Sequence, residues 1–124
     1  MAKVERFEDL LIWQKSIELT KIVYKHTEGK YFSKDFGLRD QVRRSAVSIP
    51  SNIAEGFERE SNRQLVYFLL VAKASAGELR TQLFIAKELN YITEKEYQLV
   101  YDNLIECSKG ISSFVKYLRT VTKK

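Results

Sequence analysis

The sequence predicts an all-α fold, an up-down-up-down antiparallel four-helix bundle formed by residues 1–124 as one domain. Three observations predict it. No stretch alternates apolar and polar residues as a half-buried strand does. Apolar residues instead recur at steps of three and four through four long segments. The connections between those segments are only a few residues long, which places successive helices antiparallel.

The first helix is expected from about Phe7 to Thr27. Leu10, Trp13, Ile17 and Tyr24 form its apolar stripe, widened by Val23. Gly29 is its expected stop, a position that favours positive φ. The second helix is expected from about Lys34 to Phe57, with Ser33 as N-cap. Its core stripe is Leu38, Val42, Ser45, Ala46, Ile49, Ile53 and Gly56, and the phase holds straight across Pro50. A helix newly begun at Pro50 takes Ile49 as its cap, a poor capping residue. A continuous helix kinked at Pro50 fits better. Proline removes its own N–H and frees the carbonyl of Ala46, at a cost of about 3 kcal/mol unless nearby hydroxyls or a neighbouring helix compensate. Ser45, Ser48 and Ser51 are at hand.

The third helix opens on the capping box Ser61…Gln64 and runs to about Leu89. Leu65, Leu69, Ala72, Ala76, Leu79, Leu83 and Ala86 make a seam of mean period 3.5. The fourth opens on a second capping box, Thr93…Glu96. Its expected seam is Tyr97, Tyr101, Leu104, Ser108, Ile111, Val115 and Leu118.

The flanks of these stripes carry further pattern. On the second helix Arg44, Ser48, Asn52, Glu55 and Arg59, with Gln41, fall within one arc beside the core stripe at 100° per residue. On the third, Val71, Ser75, Glu78, Gln82 and Ile85 make a second seam. Glu78 and Gln82 are placed to meet the polar arc. That arc is either a hydrogen-bonded network that fixes helix register or a ligand site. Val47, Ala54 and Phe57 on the second helix, with Val71 and Ile85 on the third, exceed what one core stripe needs and are the candidate interface of a homo-oligomer.

Charge adds a second theme. The net charge is +5, and it is unevenly placed. From Ser108 onward there are five basic residues, Lys109, Lys116, Arg119, Lys123 and Lys124, and no acid. The preceding 107 residues balance at 16 basic and 16 acidic. The basic end is either a complement to a helix dipole or an electrostatic footprint for nucleic acid. Arg39, Arg43 and Arg63 extend that surface, diluted by Asp40 and Glu60.

Several classes of function are disfavoured. No apolar run approaches the ~18 residues of a membrane span. The opening MAKVERFEDLL lacks the apolar core of a signal peptide, and a single Cys107 suits a reducing compartment, so a cytoplasmic location is expected. With one His and one Cys, neither a zinc site nor a paired Glu-x-x-His di-iron site is expected, and no other cofactor. His26 has no evident nucleophile beside it, and GKYFSKD lacks the pattern of a phosphate-binding loop. No enzymatic activity is expected.

Three stretches carry a resemblance: FEDLLIWQKSIEL (7–19), LRDQVRRSAVSIPSNIAEGFER (38–59) and ASAGELRTQL (74–83). They resemble the bacterial four-helix-bundle proteins encoded in intervening sequences of 23S rRNA genes, also loosely described as ribosomal. The resemblance covers nearly the whole chain. It implies a ring-like homopentamer, no established catalysis and a suspected affinity for RNA or DNA. A related bundle serves as accessory factor to the reverse transcriptase of diversity-generating retroelements, which implies a possible protein partner. Two functions stand open: a nucleic-acid or ribonucleoprotein binding module, and a protein-interaction scaffold without direct nucleic-acid contact.

Overall fold

The structure, a computed structural model, describes residues 4–122. Its elements are a short 3-10 turn at Phe7–Asp9, α1 (Leu11–His26), a second 3-10 turn at Phe32–Lys34, α2 (Phe36–Glu58), α3 (Asn62–Glu88) and α4 (Glu94–Thr122). No strand occurs among the described residues, so the fold is all-α and consistent with a four-helix bundle. The main packing runs round a closed circuit: α1 on α2, α2 on α3, α3 on α4 and α4 on α1.

The contacts along α2 and α3 run in opposite sequence order. A Cβ on Gly56 would meet Leu65 and Phe68, and Ser48 bonds to Ser75. The same holds for α1 and α4, where a Cβ on Gly110 would lie against Ile12 and Lys15 pairs with Glu106. It holds again for α3 and α4, where Phe84 meets Tyr97 and Arg80 lies over Tyr101.

The ends of the helices follow the local chemistry, with three corrections. The capping box of α4 is reciprocal: Thr93 N donates to Glu96 Oε1 at 2.8 Å, and Glu96 N donates to Thr93 Oγ1 at 3.0 Å. Ser61 caps α3 through Gln64 N at 3.4 Å. The cap of α2, however, is Asp35 and not Ser33. Asp35 Oδ1 accepts from Leu38 N at 3.1 Å while Oδ2 accepts from the Tyr91 hydroxyl at 2.9 Å. A carboxylate with two oxygens serves both donors, and the 3-10 turn uses up Ser33. The expected first helix is split, with Leu10 extended between the 3-10 turn and α1. Gly29 has no positive φ; the left-handed positions are Glu60 and Asn90, at the ends of α2 and α3.

The core confirms the α3 seam in full: Leu65, Leu69, Ala72, Ala76, Leu79, Leu83 and Ala86 are all buried. On α2 the expected stripe is buried except for half-buried Leu38. The helix continues unbroken through Pro50, which is itself buried. The stripe of α1 is rotated from expectation. Ile12, Ser16, Leu19 and Val23 face inward, whereas Trp13 and Ile17 are half-buried and Tyr24 is exposed. Ser16 is admitted to the core because its hydroxyl donates to Trp13 O at 2.7 Å. On α4, Val100 and Cys107 take core places, and Tyr97, Tyr101 and Ser108 are half-buried flanks. On both helices aromatic residues read as core lie at the flanks, and smaller side chains, Ser16 on α1 and Val100 and Cys107 on α4, take buried positions.

Candidate nucleic-acid interface

α3 carries a second stripe one residue beyond its core seam. Arg63, Val66, Leu70 and Lys73 repeat at steps of three and four, so they share a face of the helix. The last part of α4 presents Ser112, Val115, Lys116, Arg119 and Thr120 to it. Together with Asn62 they line a groove of about 1100 Å³. Its apolar floor is Val66, Leu70 and Val115, and its walls carry Arg63 and Lys73 on α3 and Lys116 and Arg119 on α4. No Asp or Glu lines it. Four like charges around one groove raise the local potential above what scattered surface lysines give, and they attract a polyanion.

Three of the eight cations offered for nucleic acid, Arg63, Lys116 and Arg119, line this groove. Lys109 is exposed on α4 but does not line it. Lys123 and Lys124 lie outside the described residues. Arg39 and Arg43 are engaged elsewhere on α2. Arg39 pairs with Asp40 at 2.9 Å, donates to Ser33 O at 3.1 Å and lies over the Phe36 ring. Arg43 donates to Thr27 Oγ1 at 2.8 Å and lies over Tyr24 at 4.6 Å. Lys73 was missed by reading charge along the chain. Its signal was present as helical phase, since Lys73 falls on the same stripe as Arg63, Val66 and Leu70.

The polar arc divides into two groups. At its centre Ser48 Oγ and Ser75 Oγ are 2.9 Å apart, and Asn52 Nδ2 donates to both Ser48 O and Ser48 Oγ. Further along, Arg59 pairs with Glu55 at 2.9 Å and donates to Gln64 Oε1 at 3.3 Å, with its guanidinium over Phe68. That second group is exposed, where such pairs stabilise by about 0–1 kcal/mol. Arg44, Glu78 and Gln82 line a cavity between α2 and α3 together with Ser48. Of the residues offered for an oligomer interface, Val47 and Ile85 are 40% and 43% exposed. Ala54 and Val71 are half-buried, and Phe57 packs on the chain's own core.

Burial shapes the titration of two groups. The Cys107 thiol is pushed up to about 11 by burial, so it stays protonated and is a poor nucleophile near neutral pH. His26 is pulled down, first by burial, against an opposing pull from Glu96 and with a smaller push from Lys25. Its Nδ1 is buried without a hydrogen-bond partner. No group of three His, Cys, Asp or Glu side chains suited to a metal ion occurs among the described residues. No helix among them is long and apolar enough to cross a membrane.

Comparison with known proteins gives the following. The family model for 23S rRNA-intervening sequence protein matches residues 8–113. No curated protein matches. A crystal structure of a protein of unknown function from the S23 ribosomal protein family of Bacteroides thetaiotaomicron superposes with a TM-score of 0.79 at 27% identity, covering 86% of this chain and 96% of that one.

Proposed function

This chain belongs to the 23S rRNA-intervening sequence protein family, and from the basic groove we propose that it is a non-enzymatic helical-bundle protein that binds RNA or DNA as a homo-oligomer. The observation that carries the reading is the acid-free groove between α3 and α4, with Arg63, Lys73, Lys116 and Arg119 on its walls. Phosphates sit against the cations, and the floor of Val66, Leu70 and Val115 offers apolar surface to sugars or bases. A groove that holds the backbone by charge gives sequence-tolerant binding. Oligomerisation multiplies the phosphate contacts per particle, which compensates for the modest charge of one chain. Val47 and Ile85, large apolar side chains left exposed, support an interface between copies. The resemblance adds five as the number of copies, and light scattering at micromolar concentration tests it: a strict monomer removes the oligomer from the proposal.

The decisive measurement is a salt titration of binding to a mixed oligonucleotide. The log–log slope is about −0.9 per phosphate neutralised on duplex, or about −0.7 on a single strand. The double substitution Lys116→Gln with Arg119→Gln is expected to lower both affinity and slope. Unchanged affinity and slope overturn the groove reading. The protein-interaction scaffold then moves ahead, with the same exposed Val47 and Ile85 as its observation.

A further inference from the structure

The basic groove has an aromatic side chain at its outer rim. Tyr67 stands four residues after Arg63 and three before Leu70, so it shares the outward face of α3 with both. Its side chain is 62% exposed. The ring meets that of Phe68 in a T-shaped contact, with centroids 5.1 Å apart and planes at 87°. One such contact covers at most one face of the Tyr67 ring, so the other face is open. Beside it the groove floor is also uncovered, with Leu70 41% exposed.

Cations alone do not distinguish a duplex from a single strand; the apolar surface does. A duplex keeps its base faces stacked inside and presents phosphates, sugars and base edges. Its major groove, about 12 Å wide, admits one α-helix. α3 is packed along both α2 and α4 and is not free to enter it. A duplex is thus restricted to laying phosphates across Arg63, Lys73, Lys116 and Arg119, and no base face reaches Tyr67. A single strand has base faces to offer, and any base stacks on an open aromatic ring.

We propose that the groove holds single-stranded RNA, its phosphates along the four cations and one unpaired base stacked on Tyr67. The proposal rests on the nucleic-acid reading of the same groove. Thr120 favours ribose. Its hydroxyl lines the groove and donates its proton to Lys116 O at 3.0 Å, so toward a ligand it only accepts. Phosphates only accept as well. On a nucleic-acid backbone the 2′-hydroxyl is the one donor, and deoxyribose lacks it.

The test is fluorescence anisotropy of the full chain at physiological salt with a short labelled RNA of mixed sequence, with that RNA annealed to its complement, and with the deoxy strand of the same sequence. The single-stranded RNA should bind about tenfold or more tighter than the duplex and about twofold or more tighter than the deoxy strand. Tyr67→Ala should weaken single-strand binding about fivefold or more. It should leave the salt slope unchanged, because a stack neutralises no phosphate. Tyr67→Phe should bind as wild type, and a thermal melt checks that both variants are folded. If the duplex binds as tightly as the single strand, or Tyr67→Ala binds as wild type or alters the slope, the single-strand proposal falls. Equal affinity for the deoxy strand overturns the assignment to RNA. In each of those cases a loss of binding by Lys116→Gln with Arg119→Gln still upholds the groove reading. If none of the three probes binds, both readings fall.

Discussion

The Thr20 hydroxyl of α1 lies 3.3 Å from the carbonyl oxygen of Ala46 on α2. That carbonyl is the one Pro50 leaves without its helical N–H four residues on. The same hydroxyl lies 2.7 Å from Ser16 O, so a single proton is shared between an acceptor on its own helix and one across the interface. The proline is thus tolerated through a neighbouring helix and not through the serines around it.

The first prediction tests this coupling. Thr20→Val keeps the shape and removes the donor, and should destabilise by about 1 kcal/mol by leaving the buried Ala46 carbonyl unmet. With Pro50→Ala as background, residue 50 regains an N–H for that carbonyl, so the cost of Thr20→Val should shrink. A double-mutant cycle by urea denaturation reads the difference. Equal costs in both backgrounds mean that Thr20 and Pro50 are independent.

Two helical glycines should respond with opposite sign. At Gly56 a Cβ would lie 2.7 Å from Phe68 Cβ and 3.3 Å from Leu65 Cα, neither of which is a flexible end. Gly56→Ala should therefore destabilise by about 1–2 kcal/mol, overpacking outweighing the gain in helix propensity. At Gly77 a Cβ meets nothing within 4 Å. Gly77→Ala should stabilise by about 0.5–1 kcal/mol. Thermal denaturation checks both, and a loss at Gly77 instead places another copy of the chain against that spot.

His26 makes stability depend on pH in a defined direction. Its pKa is lowered in the folded chain, chiefly by burial, so the unfolded chain binds the proton more readily. Stability is then complete above the ordinary histidine range and declines as pH falls through it, levelling off below the lowered folded value. Wild type should lose stability relative to His26→Gln between about pH 7 and pH 5. Chemical denaturation of both proteins across that window measures it, and parallel curves refute it.

Much of the fold was legible in the residues. The α3 seam and the Thr93–Glu96 box were readable because aliphatic periodicity and cap chemistry are local signals. The α1 stripe was not, because Ser16 is buried by virtue of one hydrogen bond to Trp13 O, which no hydrophobicity pattern records. Tyr24 read as core, yet it lies outside beneath Arg43. The site was legible only by halves. Lys116 and Arg119 stood out as part of a basic run, but the groove exists because α3 lies alongside α4. Lys73 joins it although it stands 43 positions before Lys116 in the sequence. Likewise Arg44 and Glu78 share a cavity that neither helix has alone.

The final prediction separates a groove from a diffuse positive cloud. Lys73→Gln and Lys109→Gln each remove one charge, so their effect on net charge is identical. At physiological salt the attraction of an exposed charge is screened beyond about 8 Å, so only cations near a bound phosphate contribute fully. Lys73 lines the groove, whereas Lys109 lies on α4 outside it. If the nucleic acid follows the groove, Lys73→Gln should flatten the log–log salt slope by about 0.7–0.9 per site, one phosphate contact, and Lys109→Gln should leave it unchanged. Arg43→Gln should likewise leave the slope alone, because that guanidinium is engaged with Thr27 and Tyr24. Its loss should appear as a small fall in stability. Equal flattening by Lys73→Gln and Lys109→Gln means that charge attracts nucleic acid without the groove holding it.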